Sequence, residues 1–191
     1  MHVEDIPLEI LFQIFQMLEI EDLKAIVQVN RYFRLIGEDP SLWKSILIPN
    51  VHPDNLQELL SFPRLAKIQS LHLNSNRLSS YHFNLLRNSS NLKYLDISHC
   101  FLHEVDMLND KSEHPSLCSK VMNNMEKLNI NGTNLSISQY QKLFEDMGKC
   151  TKIRTLIVNT PECLEETDLS SINSQVLAKA LARLVIVQIS D

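Results

Sequence analysis

The residues able to do chemistry are few and poorly grouped. His99, Cys100, His103, His114 and Cys118 are types that ligate zinc and fall within residues 99–118. Zinc needs four donors converging on one point, and no second pair follows at finger spacing. If Cys100 ends a strand and points inward, its neighbour His99 points away from it. The stretch therefore reads as loop and structural residues, with no metal. The four cysteines, at 100, 118, 150 and 163, contain no CxxC pair and fit a reduced, intracellular chain better than a disulfide framework. There is no GxSxG elbow and no phosphate-cradling glycine loop, in a chain with only three glycines. Carboxylate pairs such as Glu165-Glu166 read as solvated turns. The expectation is a protein that is not an enzyme, carries no cofactor, and works by binding.

Bulk properties narrow what it could bind. The net charge is −5, and the pI near 5.8 gives no reason to propose nucleic acid or an anionic membrane as partner. Residues 1–46 carry four Lys/Arg against eight Asp/Glu, so the acidity sits in the first segment. No uninterrupted apolar run approaches the ~20 residues of a membrane-spanning helix. The opening residues make a poor secretory signal, because no basic region precedes an apolar stretch broken by Glu and Gln. The cytoplasm, the nucleus or both are the expected locations.

The first segment is the more revealing half. Pro7 to Leu18 reads as a helix whose only polar residues, Glu9, Gln13 and Gln16, fall within an arc of roughly 60° at 100° per residue. The remaining circumference is hydrocarbon, more than one core-facing side requires. Such a helix is expected to pack on its own module on one side and on a partner on the other. Residues 22–29 and 30–36 read as two further short helices, with Gly37 as a C-cap and Asp39-Pro40 turning the chain. Three helices in about 40 residues lie near the lower limit for independent folding.

From residue 68 a repeat takes over. Ile68-x-x-Leu71-x-Leu73-x-x-Asn76-x-Leu78 returns at Leu92, at Met125, in degraded form at Ile153, and begins again at Leu184. Trp43-x-x-Ile46-x-Ile48 already matches its first half, so the helical module runs into the repeat with no flexible linker. Strands are expected near 46–48, 71–73, 95–97, 128–130, 156–158 and 187–189, with helical segments at 53–60, 79–88, 138–149 and 174–183. Alternate strand residues enter a core, and stacking buries it continuously beneath a parallel sheet. Asn76 and Cys100 occupy the bend where such repeats use a side chain to satisfy backbone groups; Thr133 could partly do so and Pro161 cannot. The outward grid comprises Ser70, His72 and Asn74, Tyr94, Asp96 and Ser98, Lys127, Asn129 and Asn131, Thr155, Ile157 and Asn159. Within it His72, Tyr94, Asp96, Lys127, Asn129 and Ile157 are the candidate contacts for a bound protein. The polar run 106–119 reads as a tolerated surface insertion or, alternatively, as a partner-contact or modification loop.

The first module carries a signature. Ile6-Pro7-Leu8-Glu9-Ile10, Ile14-Phe15, Leu18, Asp22-Leu23, Val29-Asn30-Arg31-Tyr32-Phe33-Arg34 and Asp39-Pro40-Ser41-Leu42-Trp43 together resemble the F-box motif over nearly its full length. Joined to the repeats, the chain is similar to F-box/leucine-rich-repeat proteins. That resemblance implies an α/β fold: a short all-α three-helix F-box at 1–47, fused to a leucine-rich-repeat solenoid at 48–191 with a parallel concave sheet and outer helices. It also implies a role as substrate-recognition subunit of an SCF-type ubiquitin ligase. The F-box would bind a Skp-type adaptor, and through it cullin and RING subunits, while the repeats bind an unknown protein substrate. Carried onto this sequence, the adaptor-binding set is Pro7, Leu8, Ile10, Leu11, Ile14, Phe15, Leu18, Leu23, Leu42 and Trp43, divided between adaptor and F-box core in a way the sequence leaves open. The eroded fourth unit, and the absence of a capping unit after Ile189, suggest a chain truncated at its C-terminus. Two other readings fit the same residues. One is an adaptor-bound scaffold without ubiquitination; the other is a non-catalytic leucine-rich-repeat interaction protein whose helices merely cap the first repeat.

Overall fold

The computed structural model of the chain describes residues 6–86, 89–102, 124–136, 139–140, 143–144, 147, 150, 152–158 and 186–188. It is a mixed α/β fold: a short helical region followed by a six-stranded, wholly parallel sheet.

The helical region comprises α1 (Leu8–Gln16), α2 (Ile20–Val29) and α3 (Arg31–Gly37). Pro7 is the N-cap of α1 rather than its first helical residue. Its carbonyl accepts the N–H groups of Ile10 and Leu11 at 3.0 and 3.1 Å. Asn30 sits between α2 and α3 in extended backbone and caps α3 by accepting the Phe33 N–H at 2.7 Å. Gly37 is the last residue of α3, not the residue beyond it. Glycine is needed there for space, since a Cβ would overlap Cγ1 of Val27 on α2. Phe15 meets Phe33 edge-on, with ring centroids 5.7 Å apart, and so joins α1 to α3.

A 3₁₀ turn, Pro40–Trp43, leads directly into β1 (Ser45–Leu47). Asp39 takes the extended backbone that a following proline requires, and its carboxylate accepts the Ser41 N–H at 2.8 Å. Next come α4 (Pro53–Leu60), a second 3₁₀ turn (Pro63–Lys67), β2 (Ser70–His72), β3 (Arg77–Leu78) and α5 (Ser80–Leu86). The chain continues through β4 (Tyr94–Asp96), β5 (Phe101–Leu102), β6 (Lys127–Asn129), β7 (Thr155–Ile157) and β8 (Ile186–Gln188). The main sheet runs β1-β2-β4-β6-β7-β8, and β3 pairs with β5 in a two-stranded parallel ribbon.

Register turns the repeat into a core. Ile46, Leu71, Leu95, Leu128, Leu156 and Val187 align across the six strands, and the first five are buried. Each strand lies one residue earlier than the hydrophobic spacing predicts. The outward residue before each buried leucine also pairs, and the chain then leaves the sheet. Ile48, Leu73, Ile97 and Ile130 still donate to the neighbouring strand at 2.7–2.9 Å, but the bend begins there. Asn50, Ser75, His99 and Gly132, two residues further on in each unit, all take positive φ (34°, 62°, 55° and 65°). Gly132 leaves the space in which the His99 ring lies.

The bend residues behave as expected. The Asn76 amide is buried; its Nδ2 donates to the carbonyls of Ile48 at 2.5 Å and Leu73 at 2.8 Å, and its Oδ1 accepts the Val51 N–H at 2.9 Å. Cys100 donates its thiol to the Leu73 carbonyl at 2.9 Å, and Thr133 its hydroxyl to Ile130 at 2.8 Å. Burial pushes the Cys100 thiol up to about 11, so it remains a protonated donor. The expected helix at 53–60 forms, and the one expected at 79–88 begins at Ser80 and is described as far as Leu86. The expectations for 106–119, Asn159, Pro161, Glu165-Glu166 and the helix at 174–183 lie outside the described residues, as do His103, His114 and Cys118. Among the described residues no cluster of His, Cys, Asp and Glu is placed to hold a metal ion, and no helix is long and apolar enough to cross a membrane.

Candidate functional site

The ten apolar positions proposed for adaptor contact separate into two groups. Leu11 and Phe15 on α1, Leu23 on α2, and Leu42 and Trp43 on the 3₁₀ turn are buried in one core that continues into the sheet. In this fold their side chains are covered by the chain itself. Leu18 is half-buried against the same core. Pro7, Leu8, Ile10 and Ile14 are exposed.

The division follows from helical geometry. Leu11 and Phe15, four residues apart, share the inward face. Ile10, Ile14 and Met17, at the spacing i, i+4, i+7, form a stripe on another face, and Met17 at its end is 84% exposed. Met17 is missing from the sequence-derived set, although that spacing could have found it. Val29, a position of the F-box signature left out of the adaptor-binding set, and Leu35, not singled out from the sequence, are also exposed. They belong to an open groove of about 810 Å³ at the α2–α3 junction, lined also by Tyr32, Arg34 and Glu38. Signal for them was weak, because one lies at a helix end and the other in a helix of only seven residues.

Trp43 anchors the helical region to the sheet. It is 1% exposed and its indole N–H donates to the Gly37 carbonyl at 2.7 Å. Its ring lies 5.3 Å from that of Phe62, and the Arg64 guanidinium sits 5.3 Å from its centroid while pairing with Glu38 at 3.0 Å. Lys24 on α2 pairs with Glu58 on α4 at 2.7 Å. The exposed α1 stripe is therefore carried on a body continuous with the sheet.

The second surface is the solvent face of the sheet. Register places Ser70, Tyr94, Lys127 and Thr155 in one row, and His72, Asp96, Asn129 and Ile157 in the next. All six candidate contacts, His72, Tyr94, Asp96, Lys127, Asn129 and Ile157, lie there half-buried. The His72 ring meets Tyr94 edge-on at 4.9 Å, and the Tyr94 hydroxyl donates to Asp96 at 3.2 Å. Burial and the nearby Asp96 charge raise the Tyr94 phenol above its usual range. Burial also opposes ionisation of Asp96, yet hydrogen bonds from Ser98, Asn129 and Tyr94 together hold its carboxyl below the ordinary value. Ser98, expected to face outward with them, is buried beyond the strand end. Asn134 was not anticipated: its Oδ1 accepts the Leu102 N–H at 2.7 Å, where β5 needs a further partner.

The two surfaces differ in kind, one a hydrocarbon stripe on a helix and the other a knitted polar and aromatic sheet face. On the sheet face the Ser70 hydroxyl lies 3.1 Å from Nε2 of His72, whose Nδ1 lies 3.6 Å from the Asp96 carboxylate. No curated protein matches this chain. Residues 3–49, which hold α1 to α3, the 3₁₀ turn with Trp43, and β1, match the family model described as F-box-like, and the chain carries an F-box-like domain there.

Proposed function

We propose that this protein is the substrate-recognition subunit of an SCF-type ubiquitin ligase. F-box domains generally bind Skp-type adaptors, and here Leu8, Ile10, Ile14 and Met17 would supply the apolar contact. The observation that carries this reading is the exposed stripe of α1 within the F-box-like domain. Large apolar side chains left in water on a helix whose opposite face is already buried favour a partner.

The remainder of the chain is read as a leucine-rich-repeat solenoid. Support comes from the parallel strands, the left-handed turn recurring at Asn50, Ser75, His99 and Gly132, and the side chains of Asn76, Cys100 and Thr133 that satisfy each bend. In this reading the sheet face holds the substrate protein, and the adaptor links the chain to cullin and RING subunits in the cytoplasm or nucleus. The chain itself breaks no bond. Its contribution is position: a substrate lysine held near a charged conjugating enzyme reacts at raised effective concentration. A body without a flexible joint between its two surfaces suits that task.

The test is coexpression with a Skp-type adaptor, followed by size-exclusion chromatography. A soluble 1:1 complex is the expected result. A stable, soluble monomer indifferent to the adaptor would leave only an interaction protein with a helical cap. Adaptor-dependent turnover of a captured protein separates a ligase receptor from a scaffold.

A further inference from the structure

The sheet face carries three groups able to bear charge, His72, Asp96 and Lys127, and they are not equally available. Asp96 is already engaged within the chain. Its Oδ1 accepts the Ser98 N–H at 2.9 Å, and its Oδ2 accepts the Tyr94 hydroxyl and lies 3.6 Å from Nδ1 of His72. His72 is held between that carboxylate and the Ser70 hydroxyl, 3.1 Å from its Nε2. Lys127 differs. Its ammonium rests 4.7 Å from the centre of the Tyr94 ring, and among the described residues no carboxylate lies within ion-pairing distance. Glu126, its sequence neighbour, pairs with Lys93 at 2.9 Å instead.

A half-buried ammonium lying on an aromatic ring has lost part of its hydration and much of its side-chain freedom. It therefore pays less to accept an anion than a free surface lysine does. The carboxylate beside it already accepts the Ser98 N–H and the Tyr94 hydroxyl, so it is less available to an incoming cation than Lys127 is to an anion. Charge complementarity on this face thus favours an anion.

We propose that the sheet face around Tyr94 and Lys127 takes an acidic segment of the substrate protein, with an anionic side chain seated on Lys127. This rests on the reading of the sheet as the substrate surface, and it names the chemistry that surface selects. A glutamate or aspartate carboxylate and a phosphorylated serine offer the same kind of anion to Lys127.

The experiment is fluorescence anisotropy on the full chain with labelled octapeptides, one glutamate-rich, one carrying phosphoserine, one of serine and glycine, and one lysine-rich. The acidic peptides bind and weaken with salt, while the neutral and lysine-rich ones do not bind. Lys127→Gln lowers acidic-peptide affinity by about fivefold, the ratio one partly exposed ion pair supplies, with an unchanged melting temperature. Lys93→Gln, which removes a charge already paired, changes it less than about twofold. Tighter binding of the phosphoserine peptide, lost with Lys127→Gln, assigns the anion to phosphate; equal binding assigns it to carboxylate. Absence of acidic-peptide binding, binding of the lysine-rich peptide, or affinity indifferent to Lys127→Gln overturns the proposal. An intact adaptor complex alongside such a result sinks this inference alone, whereas loss of the adaptor complex with peptide binding preserved sinks the ligase reading.

Discussion

The indole N–H of Trp43 donates to the carbonyl of Gly37 at 2.7 Å, across the point where the helical region becomes sheet. Gly37 closes α3 and Trp43 closes the 3₁₀ turn that delivers β1 two residues later. The same indole carries Arg64, which reaches back to Glu38. One side chain thus fixes where the first strand starts relative to α3.

Trp43→Phe keeps most of the ring volume but leaves the Gly37 carbonyl buried without its donor. The expected destabilisation is about 2 kcal/mol, the cost of one unsatisfied buried group plus lost packing. Urea unfolding followed by circular dichroism measures it, and a change below about 0.5 kcal/mol would remove Trp43 from this role.

Asn76→Ala deprives the Ile48 and Leu73 carbonyls and the Val51 N–H of their partner at once. Destabilisation of about 3 kcal/mol or more is expected in the same unfolding assay. Thr133→Val should cost less, about 1 kcal/mol, since a single donor to the Ile130 carbonyl is lost.

Asp96 links the sheet face to pH. Its carboxyl is held below its ordinary value of 3.8, so the unfolded chain takes up the proton more readily. Its contribution to stability is therefore full above that value and fades as pH falls through the lower folded pKa. The stability gap between wild type and Asp96→Asn should shrink as pH drops from about 5 toward 3. A gap constant over that interval would mean that the hydrogen bonds from Ser98, Asn129 and Tyr94 do not favour the ionised form.

Much of this architecture is legible in the residues, and the parts that are not have specific causes. Leucine spacing places the strands within one residue, because only alternate positions can enter a parallel core. Asn76 is readable because its amide is the group that can both donate and accept in a bend. The left-handed turns were hidden, since three of the four use Asn50, Ser75 and His99 rather than glycine. The division of α1 was also hidden. Leu11 and Ile10 are chemically alike, and only the position of α3 and the sheet decides which of them is covered. On the sheet face, the outward direction of Tyr94 and Lys127 follows from strand alternation, whereas the seating of the ammonium on the ring depends on rotamers that no spacing encodes.

The central claim is that the exposed face of α1, and not its buried face, is the adaptor contact. Isothermal titration of the chain with a Skp-type adaptor tests it, comparing wild type with Ile10→Ala/Ile14→Ala, a variant whose changes lie on the solvent side. Burial of one such side chain is worth roughly 1.5–3 kcal/mol, so the pair should weaken binding at least about a hundredfold while the melting temperature stays within about 2 °C. Undiminished affinity in a folded Ile10→Ala/Ile14→Ala chain would contradict the account.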